Sequence, residues 1–162
     1  MNALDAFLST WGRARSMFGE GTPHDGSVFD KSAQLRELQG TVQSAGPGAH
    51  WEGAASADYA DTNTQHAARL GQIAELDERL GAEITRSAEV VLAGRRDLDA
   101  LKQWVTDTAG HATTAADRTL WSTISKASSD MAEIVERSHH ELASVARRIA
   151  ALGDEFESLR RP

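Results

Sequence analysis

The chain has 162 residues, a formal net charge of −7 and no cysteine. That length is enough for one domain with a real core, the acidic balance argues against nucleic acid, which is bound through a basic face, and disulfide and thiol chemistry are excluded. Apolar residues make up 40% of the chain, many of them alanine, and aromatics 6%, which favours closely packed helices over a sandwich; no apolar run is long enough to span a bilayer, and no basic start followed by an apolar run marks an ordinary cleaved secretory signal.

The first predicted helix covers residues 3–17. Asn2 is placed to cap it and Asp5 to complement its dipole. Leu4, Phe7, Leu8, Trp11, Ala14 or Arg15, and Phe18 follow helical spacing. The stripe is short and its basic content thin, so a core-packing helix is preferred over a detachable or membrane-surface one. Residues 18–26 then carry Gly19, Gly21, Pro23 and Gly26, which predicts a loop. It lacks the Gly-Lys-Ser/Thr ending of a phosphate-binding loop, and Glu20 and Asp25 would repel an anion, so it reads as a structured connector.

A second helix is expected from Ser27 or Asp30 to Ser44, with Val28, Ala33, Leu35, Leu38 and Val42 supplying a modest apolar face. Ser44-Ala45-Gly46-Pro47-Gly48 cannot continue it. The stretch that follows, His50-Trp51-Glu52-Gly53, predicts a Trp-x-Gly turn in which the indole is buried and the glycine lets the backbone bend. With the ring fully buried, Trp51→Ala is expected to cost about 3–5 kcal/mol.

From Glu52 to about Thr108 there is no proline, and the helix expected there would be roughly 80 Å long. Ile73, Leu76, Leu80, Ile84, Ser87, Val91, Gly94, Leu98, Leu101 and Val105 alternate three and four apart, the seven-residue repeat of helices packed lengthwise. At the small members Ser87 and Gly94 a neighbouring helix can approach, or a larger side chain can fill the gap. Gly110 is a helix stop, and Thr113 or Thr114 is expected to cap a last helix running to about Leu159, with Asp117 in its first turns. Leu120, Ile124, Ala127, Met131, Ile134, Ser138, Leu142, Val145, Ile149, Leu152, Phe156 and Leu159 repeat the spacing, with a stutter at Ser138. Two long helices joined by a short turn fold back on one another, which sets Trp104 and Trp121 to seal one end.

The expected fold is all-α: an elongated helical bundle in a single domain over residues 1–162. Residues 1–49 form two short helices and Gly/Pro loops, and residues 50–162 form a long antiparallel hairpin preceded by the Trp-x-Gly turn. No catalytic constellation stands out. His139 and His140 are adjacent, hence about 100° apart on a helix, no His-Glu-x-x-His or Gly-x-Ser-x-Gly occurs, and Asp97 and Asp99 point to different faces. No catalytic residue, metal site or cofactor is expected.

Gly19-Glu20-Gly21-Thr22-Pro23-x-x-Gly26, a helix, Trp51-Glu52-Gly53-Ala54-Ala55 with Tyr59 and Asn63, and Leu76-Asp77-Glu78-Arg79-Leu80, in that order, resemble the N-terminal region of EspA/EspE-type proteins, mycobacterial proteins associated with type VII (ESX) secretion. The similarity covers about residues 18–101. It implies a helical, WXG-like substrate or partner-binding domain, cytoplasmic before export, that leaves without a cleaved signal peptide to become secreted or envelope-associated. It also implies a small helical WXG-like or Esp-type partner, and the secretion machinery, as the proteins it meets. In that export class a Trp-x-Gly turn lies beside a Tyr-x-x-x-Asp/Glu signal. Trp51 and Gly53 match the turn, whereas four residues after Tyr59 stands Asn63, so the acidic half is expected from the partner. Family members often carry a further apolar, Gly/Pro-rich region that this sequence lacks, as a short relative or an excised N-terminal domain would. A cytosolic adaptor or chaperone of the same machinery and a self-associating homo-oligomeric bundle stand as alternatives.

Overall fold

A computed structural model describes residues 2–48, 51–114 and 117–161. Among them every regular element is helical: α1 (Ala3–Ser16), a 3-10 turn (Gly26–Val28), α2 (Ser32–Ser44), α3 (Ala54–His111) and α4 (Arg118–Arg160). The chain packs as two compact units, one of Met1–His24 with Arg86–Val145, the other of Asp25–Thr85 with Ala146–Pro162. Each long helix contributes a segment to each unit.

In the first unit, α1 begins with a reciprocal cap. The Asn2 side chain accepts from the Asp5 backbone N–H at 2.8 Å, and the Asp5 carboxylate accepts from the Asn2 N–H at 3.3 Å. The apolar stripe read from the sequence is the face that packs. Phe7, Ala14 and Phe18 join Leu98 and Val105 of α3 and Leu120, Ile124, Ala127, Met131 and Ile134 of α4 in one core. Trp11 is tied twice: its indole N–H donates to the Leu98 carbonyl at 2.7 Å, and the Lys102 ammonium stands 4.3 Å from the ring centroid. Arg15 pairs with Asp99 at 3.1 Å, while Asp97 pairs with Arg137 at 3.1 Å. The two aspartates therefore serve opposite neighbours, α1 and α4, as their spacing requires. Phe18 fills the notch at Gly94, where an added Cβ would lie 2.2 Å from the ring.

The end of this unit departs from expectation. Trp104 and Trp121 remain 40% and 54% exposed and do not seal it. Leu120, Ile124, Ala109 and Ala112 pack there instead. Gly110 does not stop α3, which continues to His111. Neither Thr113 nor Thr114 caps α4. The Asp117 carboxylate does, accepting from the Thr119 and Leu120 N–H groups at 2.8 and 3.4 Å.

In the second unit, α2 starts later than expected, at Ser32. The preceding residues go into the 3-10 turn, which the Asp25 carboxylate caps through the Ser27 N–H. Asp30 then accepts from the Ser32 N–H at 2.8 Å. α2 lies antiparallel to α3 along a continuous series of contacts: Lys31 N–H to the Asp77 carboxylate, Arg36 to Glu78, Gln39 over Gly71, and Asn63 and Tyr59 onto the last carbonyls of α2. The approach is closest at Gly26. A Cβ there would fall 1.6 Å from the Gly81 carbonyl oxygen, so residue 26 needs glycine, while a Cβ on Gly81 would meet the Asp30 Cβ at 3.2 Å and the Gly26 carbonyl oxygen at 3.3 Å. α2 buries none of its residues fully. Gln39 of α2 lies over Gly71 of α3, and Ala67 and Ala74 of α3 are buried. The α4 segment is fixed by Arg79–Glu155 and Glu83–Arg148 ion pairs at 3.0 and 2.9 Å, with partner numbers falling as α3 numbers rise.

Candidate functional site

The turn between α2 and α3 lies in the second unit and is built from four residues singled out by the sequence. His50, the first residue of the stretch, lies outside the described residues. Gly53 takes φ +109, a backbone conformation that L side chains rarely adopt, and α3 starts one residue later. Ser56, inside the first turn of α3, donates its hydroxyl to the Trp51 carbonyl at 2.8 Å, tying the residue before the bend to the helix after it.

Trp51 is not buried. It is 47% exposed, and its ring leans on Tyr59, itself 43% exposed, with centroids 5.3 Å apart and planes at 47°. Among the described residues the aromatic partner of the indole is Tyr59.

Tyr59 and Asn63 do a job that their side-chain chemistry explains. A helix ends with carbonyls that no intrahelical N–H reaches. The Tyr59 hydroxyl donates to the Ala45 carbonyl at 3.1 Å, and the Asn63 amide donates to the Val42 carbonyl. Four apart on α3, the two side chains share a face and together close the C-terminus of α2. An aspartate at 63 would offer no donor. The sequence identified these residues by position but missed this role, because nothing local to α3 reveals which carbonyls α2 leaves open.

The Gly/Pro loop is held by other means. Gly19 and Gly21 have φ of +69 and +75. In the first unit, Arg95 of α3 donates to the Phe18 carbonyl through Nε and Nη2, at 3.2 and 2.7 Å, and to the Gly21 carbonyl through Nη1. No sequence pattern around Arg95 signals such a backbone clamp, because its partners lie more than seventy residues away. Pro23 is half-buried. In the second unit the Gly26 N–H donates to Thr85 at 2.8 Å while its Cα lies against Gly81. The loop spends its amides and carbonyls on the fold.

Among the described residues, no group of three or more His, Cys, Asp or Glu side chains is arranged to hold a metal ion. No helix among them is long and apolar enough to cross a membrane.

The family model for the EspA/EspE family matches residues 18–100, from the ring that fills the Gly94 notch through the loop, α2, the Trp51 turn and most of α3. The chain belongs to the EspA/EspE family. A curated relative, the ESX-1 secretion-associated protein EspE of Mycolicibacterium smegmatis, is 31% identical over 90 residues. The match takes in 55% of this chain and 17% of that protein, so the chain spans about a sixth of the relative's length. No solved structure matches it. The EspA/EspE stretch contains every residue of the turn and the loop, while α1 and α4 lie wholly outside it.

Proposed function

We propose that this EspA/EspE-family chain is a secretion-associated helical protein of a type VII (ESX) system, exported as a substrate with a small helical partner, and that the α2–α3 turn is the surface read in that process. The observation that carries the reading is the presentation of Trp51. Within the family-matched stretch the one large side chain of the turn is left half in solvent, while its backbone is fixed by Gly53, by Ser56 and by the clamp of Tyr59 and Asn63 on α2. A rigid, half-exposed aromatic loses little conformational freedom when a receptor covers it, which is what a recognition residue needs.

A retained adaptor of the same machinery is the second reading. It is favoured by Asn63, which stands where the export class carries an acid and whose amide is committed to the Val42 carbonyl. The two readings separate in one experiment. The tagged chain and its Trp51→Ala variant are expressed in a mycobacterium with an active ESX-1 system, and cell pellet and culture filtrate are compared. Export of the wild-type chain and retention of a folded Trp51→Ala variant support the substrate reading. Both proteins staying in the pellet supports the adaptor.

A further inference from the structure

We infer that the groove between α1 and α4 in the first unit seats one amphipathic α-helix of a partner protein, bearing an acidic side chain on the flank that meets α1 and a basic one on the flank that meets α4. This surface is separate from the Trp51 turn and rests on the proposed function only in taking the occupant to be a protein.

Two surface cavities of about 470 and 560 Å³ lie along the α1/α4 seam and share Thr10 and Ser128, so they form one trough. Its residues pair in register, Ala3 and Ala6 beside Trp121 and Ile124, and Ala14 and Met17 beside Met131 and Val135. The two walls therefore run parallel. From Trp121 to His139 the α4 wall is about 27 Å long at 1.5 Å per residue, which accommodates five turns of helix. The floor is apolar, and the rim side chains Ala6, Thr10, Ser128 and Ala132 are small enough for a third backbone to settle between the walls.

The exposed apolar groups sit where such an occupant would cover them. Trp121 at one end is 54% exposed and Met17 at the other is 70% exposed. A second copy of this chain set groove to groove would leave the trough empty, because two concave faces do not interdigitate; a single convex helix fills it.

The charges at the trough fix the chemistry of the occupant. Arg13 stands on the α1 wall and Glu136 on the α4 wall. Among the described residues no ion pair or hydrogen bond engages the Arg13 guanidinium or the Glu136 carboxylate. A helix lying between them is therefore selected for opposite charges on its two flanks, as flanking charges set partner and direction in coiled coils.

The test uses the full chain and a synthetic, fluorescently labelled 18-residue helix with a leucine stripe, glutamates on one flank and lysines on the other. Anisotropy titration is expected to show saturable binding that Ala132→Arg, an exposed change that fills the trough, weakens at least tenfold. Arg13→Glu and Glu136→Arg should each weaken it about threefold, the scale of a rim ion pair, and the double reversal should restore it, since the helix can turn end for end. Trp51→Ala should leave binding unchanged, so failure here is distinct from failure of the export reading. Binding indifferent to Ala132→Arg, no recovery in the double reversal, or a homodimer that Ala132→Arg dissociates would each overturn the inference.

Discussion

Phe18 closes over Gly94 so tightly that a methyl group at residue 94 would lie 2.2 Å from the Phe18 Cε1. In an exposed helix interior, replacing glycine by alanine gains about 1 kcal/mol. At residue 94 the sign should reverse, because the ring must leave its seat. Removing the ring with Phe18→Ala should itself cost about 3–5 kcal/mol. In that background Gly94→Ala should become stabilising by about 1 kcal/mol. Urea unfolding of the four proteins reads both signs, and a Gly94→Ala chain more stable than wild type would remove the seat from the account.

Trp51→Ala should cost about 1–2 kcal/mol, the loss of roughly half an aromatic burial and one ring contact. Full burial, the expectation from sequence, would have made the cost two to three times larger. Thermal unfolding with an unchanged far-UV spectrum is the check. A loss of 4 kcal/mol or more by the burial scale would mean that the ring is covered in solution.

Asn63→Asp supplies the acid that the Tyr-x-x-x-Asp/Glu pattern asks for, yet it removes the donor to the Val42 carbonyl and sets two acceptors face to face. The last turn of α2 should fray, with faster amide hydrogen exchange at residues 45 and 46. Tyr59→Phe, which loses only the bond to Ala45, should cost about 1 kcal/mol. Unchanged exchange in the Asn63→Asp chain would show that the α2 terminus is held by something else.

Two carboxylates couple stability to acid. Hydrogen bonds from the Ser32 side chain and backbone hold Asp30 below its ordinary value of 3.8, and N–H groups of Thr119 and Leu120 do the same for Asp117. Both values are depressed in the fold, so their stabilisation is complete above the ordinary carboxylate range and is lost as pH falls through 3.8 and below. The Asp30→Asn, Asp117→Asn double variant should lose less melting temperature than wild type between pH 5 and about pH 2.5. Parallel acid limbs would refute the assignment.

The helices and the apolar stripe of α1 were legible because they follow from spacing within a single segment. A gap at Gly94 was legible for the same reason, but the spacing left open whether a neighbouring helix or a larger side chain would close it; Phe18 closes it. The Gly26–Gly81 contact was not. It joins a loop to a helix far along the chain, and each glycine taken alone reads as a turn residue or a weak helix position. The exposure of Trp51, Trp104 and Trp121 also escaped, since an indole is apolar enough to suggest burial and its exposure is set by packing between segments. Asp117 as a cap lost out in the sequence to two nearby threonines, where any of the three satisfies the pattern and backbone geometry decides.

Passage through a type VII system is read by comparing the culture filtrate of an ESX-1-competent mycobacterium with that of a strain whose ESX-1 ATPase is inactive, both expressing this chain. The intact chain is expected in the filtrate of the first strain and confined to the cell pellet of the second. Equal amounts in both filtrates, or in neither, would contradict it.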